Sequence, residues 1–162
     1  MDHAPRTDRI ALVVDDDAFM VSAMAELLSE EGFDVHTSSN GFSALRQAAE
    51  YRPIVILLDV LLPERSGGDV LAELRSDPAT RDGAIVLVTA NPQCLTEAQI
   101  AEADAVVLKP FDVAELLQTV HRAVLRAATR HAEVVPVVAL AHRPPASRQR
   151  RSAGARRTRG RR

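Results

Sequence analysis

With 162 residues, 46% of them apolar, the chain can bury one ordinary core and carry an appendage; four Phe, one Tyr and no Trp make that core aliphatic. All 22 acidic residues fall within 1–133 beside 11 Lys and Arg, whereas 134–162 holds nine Arg and no acid, so an acidic body carries a basic tail. The single cysteine, Cys94, excludes an intrachain disulfide, and no apolar run suits a signal-peptide core or a membrane span, so a cytoplasmic protein without membrane contact is expected.

Residues 1–8 are polar and without pattern, and read as a flexible N-terminus. Ile10–Val14 is an aliphatic strand that delivers Asp15-Asp16-Asp17 at its end. Phe19 to Glu31 has helical spacing, with Phe19, Ala23 and Leu27 and with Met20, Met24 and Leu28 at i, i+4, and Gly32 stops it. Asp17, the third acid, suits a cap for that helix. Asp34–Thr37 is a second strand, and Asn40 caps a helix over Gly41–Glu50 that Pro53 breaks. Ile54–Leu58 is a third strand ending on Asp59, Leu61–Gly68 reads as a loop, and Asp69–Ser76 as a helix with Val70, Leu71 and Leu74 inward. Ala84–Val88 is a fourth strand ending on Thr89, followed by a weak helix near Thr96–Ala103. Ala105–Leu108 is a fifth strand closed by Lys109-Pro110, and Asp112 caps a last helix running to about Arg130.

Five strand–helix units without a hairpin signal predict an α/β domain over residues 9–131, with a doubly wound parallel sheet of five strands. Such sheets place their chemistry at the carboxyl ends of the strands. Four of the five ends here carry polar or charged groups: Asp15 and Asp16, Asp59, Thr89, and Lys109. The second strand ends in nothing comparable, which suits an edge.

Carboxylates converging on one crevice repel each other unless a cation joins them. With oxygen donors and no His or Cys cluster nearby, that cation is expected to be Mg²⁺ rather than zinc or copper. The Lys109 ammonium and the Thr89 hydroxyl complete a clamp for a phosphoryl group, with Asp59 on the central strand as the nucleophile that forms an aspartyl phosphate. Lys109 is the only lysine, against 19 arginines, which argues that a compact ammonium is required there.

The chain resembles the response-regulator receiver family over residues 9–130. The resemblance is carried by Leu12-Val13-Val14-Asp15-Asp16-Asp17, by Leu57-Leu58-Asp59 with Pro63 and Gly67 four and eight residues on, by Val88-Thr89-Ala90, and by Leu108-Lys109-Pro110-Phe111. It implies the flavodoxin-like strand order 2-1-3-4-5. It also implies that Asp16, Asp59 and the Leu61 carbonyl bind Mg²⁺ directly, with Asp15 acting through water. Asp59 would take the phosphoryl group from a phosphohistidine on a sensor histidine kinase or histidine phosphotransfer protein. Lys109 would neutralise the phosphoryl oxygens, and the Thr89 hydroxyl and Ala90 N–H would hold the attached group. Hydrolysis would reset a switch read by a downstream protein target, with no catalysis beyond this self-phosphorylation and self-dephosphorylation. A cis Lys109–Pro110 bond is implied as well.

The chain departs from the family where the signal is usually passed on. Val106 stands where Tyr or Phe is common, and the segment from Thr89 to Lys109, interrupted by Asn91-Pro92, is about two residues short, which predicts a stubby fourth helix. Residues 132–162 read as a basic, disordered tail, with a solvated appendage favoured over nucleic-acid binding through its arginines. No output module fits after residue 130, so a receiver acting by protein contact is expected. An alternative, a haloacid-dehalogenase-like phosphatase using Asp15-x-Asp17, leaves Asp59 without a task and lacks that family's Gly-Thr after the second acid. The histidines (His3, His36, His121, His131, His142) are expected at the surface without a chemical role, and Cys94 as a small apolar or exposed loop residue without redox duty.

Overall fold

A computed structural model describes residues 8–134. Along it run β1 (Ile10–Val14), α1 (Ala18–Glu30), β2 (Asp34–Ser38), α2 (Gly41–Tyr51), β3 (Val55–Asp59), α3 (Gly67–Ser76), β4 (Ala84–Thr89), a single 3₁₀ turn (Pro92–Cys94), α4 (Glu97–Glu102), β5 (Ala105–Leu108) and α5 (Val113–Val134). The five strands form one parallel sheet in the order β2-β1-β3-β4-β5, the order expected, with β2 and β5 at its edges. The proposals for residues 1–7 and for the tail beyond 134 lie outside the described residues.

Strand side chains alternate between two cores. Ala11, Val13, Val55, Leu57, Val86, Val88 and Val107 point to the face covered by Met24 and Leu28 of α1 and by Leu116, Val120 and Ala123 of α5. Leu12, Val14, Ile56, Leu58, Ile85 and Leu87 point to the other, covered by Ala44 and Ala48 of α2 and by Val70, Leu71 and Leu74 of α3. Burial on both faces explains why β3 and β4 are unbroken aliphatic runs rather than alternating ones.

The caps expected for α1 and α2 form: Asp17 accepts from the Phe19 and Met20 amides, and Asn40 accepts from the Ser43 amide. Helix α3 starts at Gly67, two residues ahead of the expected start, because Ser66 caps it and Gly67 and Gly68 are packed tightly rather than looped out. Helix α5 runs on to Val134. Its second half is held by a buried carboxylate, Asp104 just before β5, which pairs with Arg130 and, at 2.8 Å, with Arg75 of α3. The same carboxylate accepts from the Ile85 amide at 2.8 Å, so one acid ties α3, β4 and α5 together. Among the described residues, no helix is long and apolar enough to cross a membrane.

Candidate functional site

Because all five strands are parallel, their carboxyl ends open on one rim. Asp15, just past β1, is 1% exposed, and Asp59, the last residue of β3, is 7% exposed, while Asp16 faces solvent. Each offers an oxygen within 4.8 Å of the others. Lys109, just past β5, reaches across the rim; its ammonium donates to Asp15 Oδ2 at 2.6 Å and to Asp59 Oδ2 at 3.0 Å. Its backbone N–H donates to the Thr89 carbonyl at 2.8 Å, fixing the ends of β4 and β5 together. The Lys109–Pro110 bond is cis.

The second oxygens of the two buried acids are held by backbone. Asp15 Oδ1 accepts from the Asp17 amide at 2.9 Å, and Asp59 Oδ1 accepts from the Leu61 amide at 3.0 Å. Burial lifts Asp59 above the ordinary carboxylate range; the Asp15 charge adds to this, and the bonds from Leu61 and Lys109 only partly oppose it. One ammonium shared between two acids cannot neutralise both. For Lys109, burial acts to lower the pKa, but its bonds to Asp15 and Asp59 outweigh that and raise it, keeping the amine charged.

The remaining expected residues fall on the same rim with differing engagement. Thr89 is fully buried, and its hydroxyl accepts from the Asn91 amide at 3.1 Å rather than bonding to Asp59. Ala90 lies exposed at the end of β4, and Leu61 is 54% exposed in the loop after β3. Asp17, spent on capping α1, does not join the acidic cluster, so the Asp15-x-Asp17 pair of the phosphatase alternative does not converge. Three close carboxylate oxygens, one of them solvent-facing, are a donor set suited to a hard divalent cation that keeps part of its water.

Some of the rim was not read from sequence. The end of β2 is not idle: Ser38 and Ser39 line a crevice beside Asp15 and Asp16 together with Ser22 and Ser43. Only the strand position of Ser38 could have signalled this. Of the histidines within 8–134, His121 sits near Glu31 and His131 near Asp82 at the surface, while His36 is half-buried and stacked on Tyr51 at 3.9 Å between ring centroids. Cys94 is exposed.

The acidic crevice and bridging lysine thus lie at the carboxyl ends of an open parallel α/β sheet, the place where doubly wound sheets bind their ligands. Residues 11–121 match the family model for the response regulator receiver domain, and the chain belongs to that family, whose members work in two-component signalling. It is 37% identical over 119 residues to the transcriptional regulatory protein KdpE of Mycobacterium tuberculosis, covering 72% of this chain and 51% of that one. It is 35% identical over 128 residues to the DNA-binding response regulator MtrA of Mycobacterium leprae, covering 78% and 56%. The chain thus spans about half the length of these curated relatives. Among solved structures, the response regulator TrrA of Thermotoga maritima, in complex with Mg²⁺-BeF, aligns with a TM-score of 0.66 and 31% identity, over 71% of this chain and 98% of that one.

Proposed function

We propose that this receiver domain accepts a phosphoryl group on Asp59 from the phosphohistidine of a sensor kinase or phosphotransfer protein, and that the charge so added changes its contacts with a downstream protein. The observation that carries this reading is the position of Asp59: buried at the end of the central strand, with one oxygen on Lys109 and two further acids within 4.8 Å.

In the transfer, an Asp59 carboxylate oxygen attacks phosphorus, the phosphorus–nitrogen bond of the donor breaks, and the imidazole leaves with the bonding pair. Asp59 must be ionised to attack, and the Leu61 amide and Lys109 ammonium favour that form against its burial. Lys109 would turn its charge from the carboxylates to the equatorial oxygens of the transferring phosphoryl, over which the charge is spread in the transition state. Asp15, Asp16 and Asp59 would hold Mg²⁺, which when bound supplies positive charge to the transferring phosphoryl and relieves repulsion among the acids. After transfer, the Ala90 N–H would hold the attached group together with the Thr89 hydroxyl, which would have to leave Asn91 to do so. Water attack on the acyl phosphate restores Asp59; no turnover of a separate substrate is implied.

The test is phosphotransfer from a radiolabelled phosphohistidine protein in the presence of Mg²⁺. Label should move to this chain and then appear as inorganic phosphate, while Asp59→Asn leaves the donor labelled. Equal transfer to the Asn variant removes Asp59 from the role.

A further inference from the structure

The rim leaves open how a change at Asp59 travels outward. Val106 is half-buried and already packed into the core that holds Leu87 and Leu58, so it has no ring to swing. The Thr89 hydroxyl, in turn, is engaged by Asn91. A second route is built of closer contacts. The Asp59 carboxylate holds the Leu61 amide, at the start of the loop into α3. That loop folds back on its own strand: Gly67 N–H donates to the Val60 carbonyl at 2.9 Å, and a Cβ on Gly67 would overlap the Asp59 carbonyl oxygen and lie 2.7 Å from Val60 Cα. The next residue, Gly68, is buried, and a Cβ there would overlap the Gln99 side-chain amide of α4. Both contacts exist only because these positions lack a side chain.

Gln99 is also what organises α4. Its side-chain Oε1 accepts from the Thr96 backbone N–H at 3.0 Å while its backbone N–H donates to Thr96 Oγ1 at 3.2 Å, a reciprocal capping box. The helix has six residues, none of them buried, and Ile100 is 50% exposed. So short a helix has little stability of its own, and few apolar contacts place it among the easily opened parts of a fold. The side chain that caps α4 is therefore the one that rests on Gly68.

From these contacts we infer that α4 is coupled to Asp59 through the Gly67-Gly68 pair and Gln99, so that phosphorylation re-sets α4 by moving the loop after β3. The inference rests on the phosphoacceptor reading. A phosphoryl group adds about −1.5 to −2 charges beside the Leu61 amide and draws Lys109 off Asp59, so the loop is the backbone segment that must re-form its bonds. A displacement of Gly67 passes to Gly68 without slack, and from there to the Gln99 amide and the α4 cap.

The experiment is hydrogen exchange by mass spectrometry on the full chain, with acetyl phosphate and Mg²⁺ or with Mg²⁺ alone, while intact mass reports the adduct in parallel. In the wild type, phosphorylation should change exchange across Glu97–Glu102 by threefold or more. Gln99→Ala removes the contact and the cap. Gly68→Ala leaves the capping residues in place and wedges a methyl group under the amide. Both variants should form the adduct to the wild-type extent and lose most of the α4 change, with exchange in β1, β3 and β4 unaltered as the control for folding. The inference is overturned if a phosphorylated wild type shows no change in α4, or if both variants keep it in full. Absence of an adduct in the mass channel instead overturns the phosphoacceptor reading beneath it.

Discussion

Replacing Lys109 with Met keeps most of the side-chain stem and removes the ammonium that joins two buried acids. In the wild type, Nζ lies 2.6 Å from Asp15 and 3.0 Å from Asp59, whose side chains are 1% and 8% exposed. Removing one partner of a buried ion pair typically destabilises by about 3–5 kcal/mol. Lys109 retains 17% side-chain exposure and Asp16 faces solvent, so water reaches the cluster and the lower figure, about 3 kcal/mol, applies. Unfolding entropy near 60 °C is about 2.1 cal/mol/K per residue, so for a domain of roughly 125 residues that loss lowers Tm by about 10 °C. Melts followed by circular dichroism in EDTA at neutral pH measure this. Mg²⁺ should then restore more of the Tm in Lys109→Met than it adds to the wild type, because the variant has three carboxylates and no internal cation. In a double-mutant cycle with Asp59→Asn, the two effects should be non-additive by at least about 1 kcal/mol, since the groups touch. A fall of less than about 2 °C in EDTA for Lys109→Met, or additive effects in the cycle, would refute the view that Lys109 balances the charge of this rim.

Asp104→Ala should destabilise by about 3 kcal/mol, because it removes the buried carboxylate that Arg75 and Arg130 share and leaves the buried Ile85 amide without its acceptor, although Arg75 keeps its bonds to the Glu102, Arg81 and Gly83 carbonyls; urea unfolding at neutral pH measures it, and an effect below about 1 kcal/mol contradicts the assigned role. In metal-free buffer the raised pKa of Asp59 makes the folded state hold its proton more readily than the unfolded chain does. Its contribution is therefore complete below the ordinary value of 3.8 and lost as pH rises through the folded value, so the wild type should lose stability relative to Asp59→Asn over that rise. Parallel pH profiles for the two proteins would contradict this. Gly67→Ala should lower both stability, by about 1–3 kcal/mol, and the rate of Asp59 phosphorylation, since the added methyl overlaps the Asp59 carbonyl oxygen; stopped-flow phosphorylation and urea melts read the two effects, and wild-type values for both would show the loop to be slack.

The strands and their polar ends were legible because strands buried on both faces read as short unbroken aliphatic runs, and because each run stops at a polar or charged residue: Asp15, Asp59, Thr89, Lys109. Caps such as Asp17 and Asn40 were legible because the bond is local, two or three residues away. What escaped was contact across the chain. The Arg75–Asp104 pair joins residues 29 apart, and no local pattern marks either partner. Gly67 and Gly68 looked like loop residues, since a glycine needed for close approach and one needed for a turn are the same letter. The shortness of α4 was foreseen from the chain length between Thr89 and Lys109. That Gln99 would both cap it and rest on Gly68 depends on tertiary packing alone.

The account turns on Asp59, and the most direct test locates the phosphoryl group. Incubation of the wild type with acetyl phosphate and Mg²⁺, followed by peptide mapping by tandem mass spectrometry, should place one phosphoryl group on Asp59 and none on Asp15 or Asp16, with the adduct absent from Asp59→Asn and lost when Mg²⁺ is chelated. A phosphoryl group on any other residue, or a wild-type yield of adduct from Asp59→Asn, would contradict it.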